Sequence, residues 1–237
     1  MYSKIADEKA RWDKRAGVYQ DGSKGVFNLT KYPFVINRVL ERIMPGRVLD
    51  LGCGPTARML LALEQAGNIA EGVDCSQKML DETRKNGWSG NLYCEDTRVL
   101  WAVPSEHYSS VVSLNSILPP ERKDASVMLG TMYRVLDWGG VFVGIVMSYE
   151  YHLRLEKEIP DIRIDHATER LWDEEGWQCA FSRETMTREL IALGFESVVM
   201  EPLVFNDPQV FDDIEALYGV RLPPHLALEE WLVVATK

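Results

Sequence analysis

The residues best suited to chemistry lie in one short run, Val48-Leu49-Asp50-Leu51-Gly52-Cys53-Gly54-Pro55-Thr56-Ala57. A short β-rich stretch ends there in Gly-x-Gly, and a helix-forming stretch follows at once. Glycines at such a junction let bare backbone approach a ligand, and the first turn of a helix offers unpaired N–H groups. Read loosely, Gly52, Gly54 and Ala57 fit the dinucleotide pattern G-x-G-x-x-G/A, with Asp74 near the spacing of a ribose-binding acid. Asp50 points elsewhere. A carboxylate at the end of a buried strand is costly unless it meets a cation or hydrogen-bond donors. A pyrophosphate would repel it, whereas an ammonium group would be drawn to it. No Tyr-x-x-x-Lys occurs in the chain, so a short-chain dehydrogenase lacks its proton donor. On these residues alone, two cofactor chemistries stay open.

The elements that must position this run alternate regularly. Arg47–Leu51 predicts a strand, residues 57–67 a helix stopped by Gly67, and 69–74 a second strand. The stretch 76–87 predicts a helix capped by Ser76 and stopped by Gly87, followed by a strand at 91–95. A fourth strand is expected within 108–118 and a helix over 122–138, where Met128, Leu129, Met132, Val135 and Leu136 fall near one face. Trp138-Gly139-Gly140 reads as a turn into an apolar strand at 141–148. Another helix at 182–195 and strands at 196–205 and 231–237 complete the series. Strands alternating with helices imply a parallel sheet covered on both sides. Residues 149–181, with a Tyr/His cluster and many acids, and residues 206–228, with three prolines, fall outside the alternation. The first follows the carboxyl end of a strand, where ligand crevices form in such sheets, and is the better candidate for a substrate cap.

Composition narrows the class. Among 237 residues, 36 Asp plus Glu face 26 Lys plus Arg, a net charge of −10, which argues against nucleic acid and anionic lipid as partners. The first fifteen residues are charged throughout, and no apolar run approaches a membrane span, so a soluble cytoplasmic protein is expected. Cys53, Cys75, Cys94 and Cys179 form no C-x-x-C pair, and small buried thiols are the simplest reading of them.

Several stretches, in order, resemble the motifs of class I S-adenosylmethionine-dependent methyltransferases. VLDLGCGPT (48–56) is similar to the family's first motif, EGVDCSQKML (71–80) to its second and CEDTRVL (94–100) to the one that holds the adenine. YSSVVSLNSI (108–117) resembles the fourth strand, and LGTMYRVLDWGGVFVGIV (129–146) the "RVLKPGG" helix–turn–strand. RELIALGFESV (188–198) and the terminal WLVVATK look like the closing helix and strands. Thr56 departs from the pattern, standing where many members have a third glycine.

The resemblance implies a Rossmann-like α/β fold, a seven-stranded mostly parallel sheet with helices on both faces and the last strand antiparallel. It also implies S-adenosyl-L-methionine as cofactor, with S-adenosyl-L-homocysteine as product. Gly52, Cys53 and Gly54 would border the methionine moiety, with Asp50 orienting its ammonium group. Asp74 would accept from the ribose hydroxyls, with Cys75 and Met79 against the adenine. Asp96 would accept from the adenine amino group, Thr97 would lie beside the ring, and Asn115 near the sulfonium and the substrate. Trp12, Ala16 and Tyr19 share one face of an N-terminal helix, which by itself fits a docked arm as well as a lid. The resemblance, in which such segments fold over the cofactor, implies a lid with Trp12 at the substrate and Tyr19 reaching the cofactor or the substrate.

Methyl transfer from a sulfonium is an in-line displacement that needs alignment and water exclusion, and no metal to make the methyl electrophilic. Tyr149, Tyr151 and His152, directly after the fifth strand, are candidates for substrate binding, and His152 for a base; His166 is a weaker one. The expected organisation is one domain: an N-terminal lid (1–45), a cofactor core (46–148), a substrate cap (149–181) and a closing part (182–237) with an insertion at 206–228. The expected reaction is methylation of an N or O atom of a small molecule. Alternatives are a protein or RNA substrate, or a non-catalytic cofactor-binding module. The sequence leaves the oligomeric state open.

Overall fold

In the computed structural model, which describes residues 2–19, 28–159, 162–173, 176–219 and 221–237, seven strands form one sheet. Its chain-order members are β1 (Arg47–Leu51), β2 (Ile69–Asp74), β3 (Leu92–Cys94), β4 (Tyr108–Leu114), β5 (Leu136–Met147), β9 (Ser197–Val204) and β10 (Glu229–Thr236). The spatial order is β3-β2-β1-β4-β5-β10-β9. β1 pairs in parallel with β2 and β4, β2 with β3, and β4 with β5, whereas β10 runs antiparallel to both β5 and β9. The last strand in the chain is thus the antiparallel one, as the resemblance implied.

Alternation of side chains along each strand feeds two cores. Leu49, Val111 and Phe142 turn to one face, where they meet Met128, Leu129 and Met132 of α5 (Arg122–Val135) and Met186 and Leu190 of α7 (Arg183–Leu193). Val48, Val112 and Val143 turn to the other, against α2 (Pro33–Leu40) and α3 (Arg58–Gln65). Each such side chain contributes roughly 1.5–3 kcal/mol by leaving water, so the sheet is fixed from both sides.

The turns follow local chemistry. Ser76 accepts from Met79 N at 3.1 Å and starts α4 (Gln77–Lys85); Ser182 accepts from Thr185 N at 3.1 Å and starts α7. Gly194, at φ +106°, ends α7 in the left-handed conformation that glycine adopts without steric cost. The expected turn at Trp138–Gly140 is instead part of β5, and α5 stops at Val135. The reason lies far along the chain: Gly139 N donates to Lys237 O at 2.8 Å and Lys237 N to Gly140 O at 2.9 Å, extending the ladder beyond the apolar run.

Residues 149–181 build α6 (Tyr149–Glu156) and a small antiparallel sheet of β6 (Ile164–Asp165), β7 (Arg170–Asp173) and β8 (Gly176–Cys179). Residues 206–228 hold α8 (Pro208–Tyr218), which Asp213 ties back to Lys31 and Tyr32. The N-terminal α1 spans Tyr2–Tyr19. Among the described residues, no helix is long and apolar enough to cross a membrane.

Candidate functional site

Two neighbouring carboxyl groups dominate the ends of β1 and β2. Asp50 is 3% exposed and Asp74 8% exposed. Asp74 accepts from Gly54 N at 3.1 Å and Ser76 N at 2.9 Å. Asp50 has no hydrogen-bond partner among the described residues, and burial together with the Asp74 charge pushes its carboxyl up to about 7. Burial likewise raises Asp74, to about 6, against the bonds that favour its charged form. Neither carboxyl is paired with a cation among the described residues, and an ammonium group or N–H and O–H donors would offset the cost of burying them.

The backbone between them is shaped by glycine. Gly52 sits at φ +73°, and a Cβ there would lie 2.3 Å from Ser116 Cβ. Gly54 sits at φ +60°, and a Cβ there would meet nothing within 4 Å, so the chain borders open space. Gly52 N and Cys53 N both donate to Val73 O, at 2.8 and 3.0 Å, which fastens the turn to β2. The Cys53 thiol is raised by burial and by the Asp50 charge, which suits a filler rather than a nucleophile.

Two adjoining cavities open on this turn. The larger, of about 330 Å³, is walled by Tyr19, Gly52, Gly54, Asp74, Cys75, Met79, Asp96, Thr97 and Asn115, and also by Trp12. The smaller, of about 30 Å³, adds Asp50 and Cys53 and shares Tyr19, Gly52, Gly54 and Asn115. The structure therefore brings together all the residues for which the resemblance implied a cofactor role, although they come from five separate segments of chain. Ala16, between Trp12 and Tyr19, is buried. α1 is held down by Asp13, which accepts from Ser76 Oγ at 2.5 Å.

Several wall residues escaped the sequence. Asp96 is gripped by Arg98, with Nε to Oδ1 at 2.9 Å and Nη2 to Oδ2 at 2.7 Å, and Arg98 Nη1 reaches Asp124 at 3.1 Å. Arg98, Asp124, Glu8 and the loop Leu118-Pro119-Pro120-Glu121 complete the larger wall. Asp-x-Arg at 96–98 was the available signal, but Asp124 joins it only through the fold.

The cluster after β5 is placed differently from expectation. Ser148 caps α6 through Tyr151 N, and the helix turns Tyr151 inward, 1% exposed, with its hydroxyl donating to Leu226 O at 3.1 Å. Tyr149 bonds His166 Nδ1 at 2.9 Å, and His166 Nε2 lies 3.3 Å from Glu156. His152 is half-buried, donates from Nδ1 to Ser148 O at 2.7 Å, and is pushed down to about 4 by burial. Tyr149, Tyr151 and His152 line neither cavity.

Comparison with known proteins agrees with this geometry. Residues 48–140 match the model of a methyltransferase domain family. An uncharacterized protein of Haemophilus influenzae is 24% identical over 221 residues, covering 78% of this chain and 85% of its own. The crystal structure of an S-adenosylmethionine-dependent methyltransferase from Mesorhizobium loti superposes with a TM-score of 0.61 at 21% identity, over 89% of this chain and 99% of that one. A Thermotoga maritima structure, described as an S-adenosylmethionine-dependent methyltransferase and possible histamine N-methyltransferase, gives a TM-score of 0.58 at 19% identity, over 88% and 90% of the two chains. At these identities the structural likeness establishes the fold.

Proposed function

We infer, for a chain whose core is a class I S-adenosylmethionine-dependent methyltransferase domain with that cofactor, that it methylates an N or O atom of a small molecule. When bound, S-adenosylmethionine supplies an electrophilic methyl group for in-line displacement. The chain's own residues then do the rest. Asp50, buried and without a partner, receives the ammonium group of the methionine moiety. Asp74, held in place by Gly54 N and Ser76 N, accepts from the ribose hydroxyls. Cys75 and Met79, which line the larger cavity, would flank the adenine, and Asp96 with the Thr97 backbone would border its edge. Gly54, with open space where a side chain would stand, allows the ligand to approach the backbone.

The observation that carries the small-molecule reading is the charge of the larger cavity's wall. The cavity runs from Asp74 to the Pro119–Glu121 loop, and Trp12 and Tyr19 of α1 stand in its wall. Its wall carries Glu8, Asp74, Asp96, Glu121 and Asp124, with Arg98 the one basic side chain among the described residues, a balance that favours a cationic amine. The Thermotoga neighbour's description is in keeping with an amine acceptor. An amine must arrive deprotonated to attack. No base role falls to His152, which lies off both cavities. α1 acts as the lid, through Trp12 and Tyr19 in the cavity wall, whereas none of the described residues of 149–181 lines either cavity.

Incubation with methyl-tritiated S-adenosylmethionine and a panel of small amines and alcohols tests this reading. Label in a small amine or alcohol is the expected result. Label found only in added protein or RNA would replace the small-molecule reading with a macromolecular one.

A further inference from the structure

Asn115 and Glu230 meet at the edge of the site, where the two cavities join. β4 ends at Leu114, and Asn115 follows at φ +48°, a left-handed conformation that Asn tolerates better than most residues. Its backbone N–H donates to Ile145 O at 2.8 Å, so the residue stays pinned to the sheet while the chain turns away. Asn115 lines both cavities. Its Nδ2 donates to Glu230 Oε1 at 3.2 Å, while its Oδ1 is buried with no hydrogen-bond partner among the described residues.

Glu230 lies on β10 opposite Met147 and is 4% exposed. Its other oxygen accepts from Ser148 N at 3.0 Å. The groups around it are the Asn115 amide at the end of β4, the Ser148 N–H after β5 and the Tyr151 phenol on α6. On its own strand stands Glu229, which is paired with Arg154 at 2.9 Å. No cation among the described residues bonds Glu230 itself, and burial pushes its carboxyl up to about 8. Glu230 lines neither cavity. A buried acid with two directed bonds and no counter-ion is expensive, and in this position its effect on the cavity passes through Asn115.

A carboxamide presents opposite hydrogen-bonding character at its two ends. When a carboxylate holds the nitrogen, the oxygen is left for the cavity. When the neighbour is a donor, the amide turns over and offers N–H instead. We propose that Glu230, when ionised, is a positioning residue that holds Asn115 by its nitrogen, so that Asn115 Oδ1 stands as an acceptor for an N–H donor at the methyl-transfer position. This rests on the cofactor reading above and deepens it: the methyl acceptor is an amine that still carries an N–H when it binds, aligned by Asn115 rather than activated by a base.

Sinefungin, in which an amine-bearing carbon replaces the methylated sulfonium, puts an N–H donor at that position, whereas S-adenosylhomocysteine puts nothing there. Both are titrated calorimetrically into the full-length protein at pH 8.5, where Glu230 is mostly ionised. The wild-type protein is expected to prefer sinefungin by about tenfold or more, the size of one charge-assisted hydrogen bond. Glu230→Gln keeps the shape but offers an N–H to Asn115, and the preference should fall to within about twofold. A preference undiminished in Glu230→Gln that still binds S-adenosylhomocysteine would overturn the positioning role. Should Glu230→Gln fail to fold, the wild-type protein decides: its preference should fall as the pH drops from 8.5 to 6.5 and Glu230 takes up a proton, and a preference unchanged across that range would overturn the positioning role. Failure of the wild-type protein to bind either compound would instead remove the cofactor reading.

Discussion

The strand ends of β1 and β2 and the segment 149–181 are both rich in charge, yet they use it in opposite ways. Asp50 and Asp74 lie buried side by side, and no cation among the described residues pairs with either. Within 149–181, and where α5 meets it, charged groups bond to protein. Arg122 of α5 donates through Nε and Nη2 to Thr168 O, Glu169 O and Ala180 O and stacks over Phe181 at 4.5 Å, with only Nη1 left without a partner among the described residues. Arg170 binds Asp165 at 2.6 Å and Pro120 O at 2.9 Å. Charge already satisfied holds a shape, whereas buried charge left unsatisfied costs stability and is retained where a ligand completes it. The two regions should therefore respond differently to substitution, one through binding and the other through stability.

The largest effect on binding is expected at Asp74. Asp74→Asn removes a charged acceptor, and affinity for S-adenosylmethionine should fall about 10- to 150-fold, the equivalent of about 1.5–3 kcal/mol. Calorimetry measures it, and a loss below about threefold would break the contrast.

Asp50 gives the contrast a pH dependence. Its folded carboxyl is raised from 3.8 to about 7, so its ionisation works against the ligand-free fold. Below pH 3.8 this group is neutral in both states, and its contribution to stability falls as pH rises towards 7. An ammonium ligand reverses the preference, so S-adenosylmethionine should bind about tenfold more tightly at pH 8 than at pH 6 on account of this group. In Asp50→Asn that part of the pH dependence should vanish and binding weaken, while the ligand-free protein at pH 8 melts at a higher temperature. A lower melting temperature would contradict the sign.

The junction of α5 with residues 149–181 supplies the opposite case. Arg122→Ala removes charged hydrogen bonds worth about 1.5–3 kcal/mol, which should lower Tm by roughly 5–10 °C. Affinity for S-adenosylmethionine in the variant that remains folded should be retained, because Arg122 lines neither cavity. The smallest effect is expected from Trp12→Ala in α1, a loss of about three- to tenfold in affinity, equivalent to about 0.7–1.4 kcal/mol, with little change in Tm.

The same division decides what could be read from the sequence. The glycine turn, Asp50, Asp74 and the order of strands are legible because each depends on a short stretch of chain: apolar alternation, then Gly-x-Gly, then a capped helix. Ser76 and Gly194 announce their helix ends in the same local way. The start of β5 was misplaced because its first residues are paired by Lys237, a partner about a hundred residues distant. The Tyr149–His152 cluster was read as a substrate entrance from its position after a strand. Ser148 was the overlooked signal, since a helix beginning there necessarily rotates Tyr151 into the core. Glu230 is separated from Asn115 by 115 residues, and only its acid character within an apolar strand hinted at a role.

The most direct test is calorimetric titration of the full-length protein with S-adenosylmethionine and S-adenosylhomocysteine, alongside Asp74→Asn. Binding of both by the wild-type protein at one site per chain is expected, with the variant weakened at least tenfold. A folded wild-type protein that binds neither would contradict the assignment of Asp50 and Asp74 to the cofactor.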